Sequence, residues 1–234
     1  MFKIIDKQEL GRDITKITVE VPIIAKRAKA GQFVVVIVDE KGERIPLTLA
    51  DWDKDKGTIS LIFQKVGYTT KKLGLLNVGS YILDILGPLG HPTETKNLGT
   101  VICIGGGVGI AEVYPVSRAF KEAGNRVIGI IGSRSKDFLI LEDKMRRVCD
   151  ELFIATDDGS YGHKGFVTDV LKGILNWQTG KWFDKLTIPR TIPSEVEGQA
   201  NRQMVRQAHH PSNHPEQSRG TGKPANQILC FDLF

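Results

Sequence analysis

Cysteine is scarce in this chain and long apolar runs are missing, and both shortages narrow what it can be. Cys103, Cys149 and Cys230 are its 3 cysteines, far apart and without a Cys-x-x-Cys pair. Neither a disulfide framework nor a zinc or iron–sulfur ligand set can be read from such spacing. Cys103 and Cys149 read as buried apolar thiols. No apolar stretch approaches the roughly 18 residues of a membrane helix, and Met1-Phe-Lys-Ile-Ile-Asp-Lys7 lacks the apolar core of a signal peptide. The expectation is a cytoplasmic protein that works without a membrane. A basic stripe is missing too: 32 basic and 27 acidic residues, net +5, are spread along the chain. Nucleic acid is therefore not an expected partner.

What is present is enough apolar material, 41% of 234 residues, for one large or two small packed domains. Up to residue 98 the pattern is one of short strands. Ile17, Val19 and Val21 alternate with Thr18 and Glu20; the runs 33–38, 44–50, 58–63 and 81–86 follow, separated by glycine, proline and a polar turn at 51–57. Such spacing predicts a small antiparallel barrel over 1–98. From residue 99 strands and helices alternate: 101–104, 112–123, 127–131, 139–148, 152–155 and 166–175. That rhythm predicts a doubly wound α/β domain over 99–177, incomplete because only three strands precede Trp177.

Residues 178–234 change character, since 191–227 are dominated by Pro, Ser, Gln, Asn, His, Arg and Glu. A disordered tail is expected there. His209, His210 and His214 form a cluster, but no apolar pattern nearby would hold a metal geometry. No metal site is expected.

The densest chemical signal is Val101-Ile-Cys-Ile-Gly-Gly-Gly-Val-Gly-Ile-Ala111. An apolar strand runs into Gly105, Gly106, Gly107 and Gly109, and a helix follows. Glycines let backbone approach a pyrophosphate, and the helix N-terminus offers free N–H groups. The spacing is not strict Gly-x-Gly-x-x-Gly, so a plain tight turn stays open. In Arg44-Ile-Pro-Leu-Thr48 a cation and a hydroxyl interrupt an apolar strand, and Pro46 implies an edge or a bulge that can host a ligand. In Lys65-Val-Gly-Tyr-Thr-Thr-Lys71, Gly67 allows a turn while Thr69 or Thr70 suits the cap of a short helix facing a phosphate; an ordinary capped helix is the alternative.

Together with Ala30-Gly-Gln-Phe33, Gly87-Pro-Leu-Gly90, Gly132-Ser-Arg-Ser135 and Thr156-Asp-Asp-Gly-Ser-Tyr-Gly162, these motifs stand in the order of the ferredoxin-reductase superfamily, which the chain resembles from Met1 to about Trp177. Within it, the resemblance is to the small FAD/NAD-binding subunits of NADH-dependent ferredoxin:NADP oxidoreductase, with the electron-transfer subunit of dihydroorotate dehydrogenase a near relative. The resemblance implies an FAD-binding antiparallel β-barrel followed by a doubly wound parallel-sheet nucleotide-binding domain. It also implies a flavoprotein oxidoreductase subunit that passes electrons between NAD(P)H and a larger flavin/iron–sulfur subunit or ferredoxin, as a hetero-oligomer.

By the same resemblance Arg44, Pro46, Leu47 and Thr48 lie against FAD, with Arg44 on a phosphate, Leu47 acting through its backbone and Thr48 near the isoalloxazine. Gly67, Thr69 and Thr70 hold its pyrophosphate, and Tyr68 stands where small or basic residues are more usual. Gly105, Gly106, Gly107, Gly109, Asp157, Asp158 and Gly159 face NAD(P)H, although Asp157 and Asp158 equally suit turn caps. Ser133 and Arg134 stand where NAD and NADP are told apart. No catalytic acid, base or nucleophile is implied, because the flavin carries the chemistry.

The family continues with a strand ending in a Gly-Pro turn and with the cysteine ligands of a [2Fe–2S] cluster, and neither motif occurs in this sequence. Residues 182–190 begin like that strand and then give way to the polar segment. A reading frame diverted or truncated near 178–190 would explain the switch. The rival reading from another class is a remnant that binds FAD or nucleotide without turnover.

Overall fold

The structure, a computed structural model, describes residues 1–176 and 227–231. Alternation shapes its first half. In β2 (Ile14–Glu20), Ile17 and Val19 are fully buried while Lys16 and Thr18 are half-buried and Glu20 is exposed, as a strand with one wet face requires. The remaining elements of this half are β1 (Phe2–Gly11), α1 (Pro22–Arg27), β3 (Phe33–Ile37), β4 (Arg44–Asp53), β5 (Thr58–Gln64), α2 (Tyr68–Leu75), β6 (Tyr81–Ile82) and β7 (Asp84–Leu89). They form a 7-stranded antiparallel sheet in the order β6-β1-β2-β5-β4-β3-β7. Its two edge strands are joined through Leu83 alone, so the sheet curls into the nearly closed barrel that the strand spacing predicts.

The barrel core is built from Ile17, Val19, Leu49, Ile59 and Leu61, each with no exposed surface. Burying such side chains stabilises the fold by about 1.5–3 kcal/mol apiece. β5 is covered on both faces: Ile59, Leu61 and Phe63 point into the barrel, whereas Ile62 joins Ile14, Ala30 and Ala50 in a second cluster with Val101, Ile110 and Val113. One apolar cluster thus spans both halves of the chain.

The second half contains β8 (Thr100–Gly106), α3 (Ile110–Glu122), β9 (Arg126–Ser133), α4 (Glu142–Val148), β10 (Glu151–Thr156), β11 (His163–Lys164), α5 (Val167–Asn176) and β12 (Gln227–Phe231). The strands are parallel in the order β11-β10-β9-β8-β12. The three strands expected are therefore joined by two more among the described residues. β12 pairs with β8 from Gln227 with Val101 to Phe231 with Gly105. Its sequence, Gln-Ile-Leu-Cys-Phe, has the apolar run usual in parallel strands, so this stretch departs from the disorder expected of 178–234. The histidines at 209, 210 and 214 and the segment 182–190 lie outside the described residues.

The helix expected over 112–123 starts two residues earlier. Gly107–Gly109 form a single 3-10 turn that runs directly into α3 at Ile110. Gly105 allows this close approach: a Cβ there would stand 2.8 Å from Val113 Cγ2 and 3.2 Å from Ile110 Cα.

Candidate functional site

The strand β4 positions the first half of the site. Its pleat sends Ile45 and Leu47 toward the barrel core and leaves Arg44 and Pro46 exposed and Thr48 half-buried on the outer face. Leu47 can therefore offer a ligand only its backbone. Residues 44–48 pair with β3, from Ile37 with Arg44 to Phe33 with Thr48, whereas pairing to β5 begins at Leu49, next to a register shift at 49–51. Pro46 thus lies where the ladder has one side only, which accommodates a residue without an N–H. The open edge expected there is present.

α2 lies at the start of this edge, because Thr69 Oγ1 donates to Glu43 Oε2 at 3.4 Å. Neither threonine is the N-cap. Gly67 takes that position, and its N–H donates to Thr70 Oγ1 at 3.0 Å while the Thr70 hydroxyl donates to the Gly67 carbonyl at 3.1 Å. Thr70 therefore works from inside the first turn. The buried Thr69 turns its hydroxyl to Glu43 and so offers a phosphate only its backbone N–H. Tyr68 is 77% exposed, with Lys72 Nζ 5.9 Å from its ring centre. A Cβ added at Gly67 would meet only Thr70 Oγ1, at 3.8 Å. The α2 N-terminus is thus open to an anion.

At the other end of the edge, about 13 Å along the strand, Thr48 Oγ1 donates to Glu112 Oε1 at 2.7 Å. Glu112 is in the first turn of α3, so this bond joins the barrel edge to the glycine turn. Gly31, Phe33, Pro46, Thr48 and Glu112 line a cleft of about 270 Å³ at that junction. Gly107 has a φ of +54°, and a Cβ there would meet nothing within 4 Å. The turn is strained for other residues yet open in front, which suits backbone that must approach a ligand closely. The residues therefore fit a long anionic cofactor: a cation and an open helix N-terminus at one end, a hydroxyl and a carboxylate at the other. Glu112 carried no motif that would have marked it in the sequence.

Gly105–Gly109, Ser133–Arg134 and Asp157–Gly159 lie at or just after the C-terminal ends of β8, β9 and β10, so all three share the carboxyl edge of the parallel sheet, where such sheets bind ligands. Two of the loops brace each other: Asp157 N–H donates to Ser133 O at 3.1 Å, Asp158 N–H to Arg134 O at 3.2 Å, and Lys136 N–H to Ser160 Oγ at 2.9 Å. The Ser133 hydroxyl is committed to Ser135 O at 2.7 Å. Arg134 is exposed.

Asp158 behaves as the turn cap that its alternative reading described. Its Oδ1 accepts from Ser160 Oγ at 2.6 Å and Ser160 N–H at 2.9 Å, and these bonds hold its carboxyl below the usual carboxylate range. Gly159, with a φ of +76°, completes the turn.

Among the described residues no group of three or more His, Cys, Asp and Glu is placed to hold a metal ion, and no helix is long and apolar enough to cross a membrane.

No protein-family model matches the sequence. Individual relatives do. An uncharacterized protein in the adh 3' region of Clostridium beijerinckii is 46% identical over 198 residues, which cover 80% of this chain and 66% of that one. The dihydroorotate dehydrogenase B (NAD(+)) electron transfer subunit homolog of Thermotoga maritima is 46% identical over 169 residues, 72% of this chain and 60% of that protein. The dihydroorotate dehydrogenase B (NAD(+)) electron transfer subunit of Bacillus cereus is 33% identical over 174 residues, 72% and 66%. The chain thus spans 60% to 66% of the length of these relatives.

Among solved structures, a chain of the NADH-dependent reduced ferredoxin-NADP oxidoreductase, described in connection with flavin-based electron bifurcation, superposes with a TM-score of 0.71. It is 43% identical, with 74% of this chain and 63% of that one covered. Phthalate dioxygenase reductase, at 18% identity, a TM-score of 0.56 and 68% and 51% coverage, shares the fold.

Proposed function

This chain belongs to the ferredoxin-reductase-like FAD/NAD-binding electron-transfer subunits, and on that premise we propose that it passes electrons between NAD(P)H and a partner redox protein through bound FAD. The observation that carries the reading is the junction at Thr48 and Glu112, where the open edge of β4 meets the glycine turn at 2.7 Å. An edge shaped for one cofactor and a turn shaped for another meet at a single cleft.

When bound, FAD would accept a hydride from the nicotinamide and release electrons onward. The protein's share is binding and orientation. Arg44 neutralises phosphate charge; Gly67 and the Thr70 hydroxyl shape the α2 N-terminus, where the backbone N–H groups of Thr69 and Thr70 hold the pyrophosphate. Pro46 and Thr48 face the isoalloxazine and Leu47 contributes backbone. Gly105, Gly106, Gly107 and Gly109 bring N–H groups to the pyridine nucleotide, with Ser133, Arg134, Asp157, Asp158 and Gly159 forming the rim of that site.

The partner would be a larger flavin/iron–sulfur subunit or a ferredoxin, in a cytoplasmic hetero-oligomer. The names of the relatives are also compatible with a second version, in which that partner is a catalytic dihydroorotate dehydrogenase subunit. Reconstitution with each candidate partner, followed by electron transfer from NADH, separates the two.

The test of the main reading is a visible spectrum of the purified full chain, recorded before and after NADH or NADPH. A yellow protein bleached by either nucleotide is expected. A yellow protein that stays unchanged would mark a binding remnant without turnover, and a colourless folded protein would overturn the flavin claim.

A further inference from the structure

The cleft at the domain junction has an unusual economy of polar groups. Of its lining residues, Gly31, Phe33 and Pro46 have no polar side-chain atoms, which leaves Thr48 and Glu112 as the lining side chains that can hydrogen-bond a guest. These two are already bonded to each other, Thr48 Oγ1 donating to Glu112 Oε1 at 2.7 Å. An ionised carboxylate only accepts, and a threonine hydroxyl has one hydrogen and two lone pairs. With its hydrogen given to Glu112 in a charge-assisted bond, Thr48 has only lone pairs left for the cleft.

Resting on the flavin reading above, we infer that Glu112 is a positioning residue that fixes the polarity of Thr48, so that the hydroxyl oxygen accepts from a ligand N–H instead of donating to a ligand lone pair. The nitrogen of isoalloxazine at the hydride-exchanging position carries a lone pair when the ring is oxidised and an N–H when it is reduced. A hydroxyl locked as acceptor therefore favours reduced over oxidised FAD, and the carboxylate acts on the flavin through Thr48.

The sign of this effect separates it from plain electrostatics. A carboxylate near the flavin disfavours the added electrons, so removing its charge alone would favour reduced FAD. Releasing the Thr48 hydrogen does the opposite.

The experiment is a double-mutant cycle on the full chain loaded with FAD, comparing wild type, Glu112→Ala, Thr48→Val and the double variant by potentiometric titration. Glu112→Leu serves as a second variant of similar shape, since its side chain neither accepts nor donates and so releases the hydroxyl hydrogen. With Thr48 present, Glu112→Ala and Glu112→Leu are expected to shift the preference between the two flavin states about tenfold toward the oxidised form, about 30 mV downward for a two-electron couple. In the Thr48→Val background the same substitutions give no downward shift. Equal shifts in both backgrounds, or an upward shift in both, would overturn the inference while leaving the flavoprotein reading intact. If the full chain binds no FAD, that reading fails and the inference falls with it.

Discussion

Arg118 Nη1 donates to Asp51 Oδ1 at 2.7 Å, which ties α3 of the parallel-sheet half to β4 of the barrel. Lys144 Nζ on α4 takes the other carboxylate oxygen, also at 2.7 Å. The two cations are fixed in turn by rings: Arg118 lies 5.0 Å from the centre of Trp52 and 5.4 Å from that of Tyr114, and Lys144 lies 4.9 Å from Tyr114. One carboxylate thus joins three elements of both domains, beside the apolar cluster that spans them. Asp51→Asn should cost about 2 kcal/mol of stability, because two charge-assisted bonds are weakened among groups that are 22%, 25% and 35% exposed. Urea denaturation of wild type and variant checks this, and a change within about 0.5 kcal/mol would put the tether among inert surface pairs.

The same carboxylate gives the fold an acid limit. Burial alone would push Asp51 up, but the bonds and charges of Lys144 and Arg118 outweigh it and hold Asp51 below its ordinary 3.8. A depressed pKa contributes stability that is fully present above the unfolded value and is lost as pH falls through the folded one. Wild type should therefore lose stability below about pH 4, and Asp51→Asn should lose less over the same interval. Thermal melts from pH 6 to pH 3 compare the two slopes; parallel curves would remove Asp51 from the explanation.

Two glycines at and just past the C-terminal end of β8 should respond to alanine in different ways. At Gly105 the new Cβ would lie 2.8 Å from Val113 Cγ2 and 3.2 Å from Ile110 Cα, so α3 would have to move off β8. Gly105→Ala is expected to destabilise the fold by about 1–3 kcal/mol. At Gly107 the Cβ enters open space and only the positive φ of +54° is penalised, about 1 kcal/mol. Gly107→Ala should stay folded but bind pyridine nucleotide more weakly, since the methyl stands where backbone must approach phosphate. Calorimetric titration with nucleotide, paired with a melting curve, separates the two; unchanged affinity in Gly107→Ala would move the nucleotide away from this turn.

The contrast between these glycines and Asp51 explains what could be read from the sequence. Strand alternation at Ile17 and Val19, and the strand–glycine–helix order at 101–122, are local: residues a few places apart create them, so the barrel and the α/β rhythm were legible. Thr48 and Glu112 are 64 residues apart, and Asp51 and Lys144 are 93 apart. Their meeting depends on how two domains pack, and no spacing announces it. Glu112, an acid in a first helical turn, carries no local signal of its contact, and Gly67 serves as N-cap without a side chain, so the sequence points to the neighbouring threonines instead. β12 was missed for a related reason: five apolar-leaning residues inside a polar segment become a strand only because β8 offers them an edge.

Cys103 and Cys149 should be chemically silent in the native protein. Burial pushes the Cys103 thiol up to about 11 and the Cys149 thiol up to about 12. Because the thiolate is the reactive form, alkylation by iodoacetamide at pH 8 should be slower than for a free cysteine by about two orders of magnitude or more. Peptide mapping by mass spectrometry, native against urea-unfolded, gives the answer. Rapid native labelling of either residue would mean that β8 or the C-terminal end of α4 opens far more often than its packing implies.

Arg134 offers the clearest handle on which nucleotide is preferred. It is exposed at the end of β9, where an acid would take a ribose 2′-hydroxyl and an arginine a 2′-phosphate. Its backbone is held by Asp158 N–H at 3.2 Å, so the loop keeps its place while the side chain is free to be replaced. If Arg134 serves a 2′-phosphate, Arg134→Ala weakens NADPH about tenfold, near 1.4 kcal/mol, and leaves NADH almost unchanged. An exposed ion pair is also screened by salt, so the NADPH advantage of wild type should shrink between low salt and about 0.5 M. Titrating both nucleotides into both proteins at the two salt concentrations tests each part. Equal losses for NADH and NADPH would mean that Arg134 holds the shared part of the nucleotide, and discrimination would then have to be sought elsewhere on the carboxyl edge of the sheet.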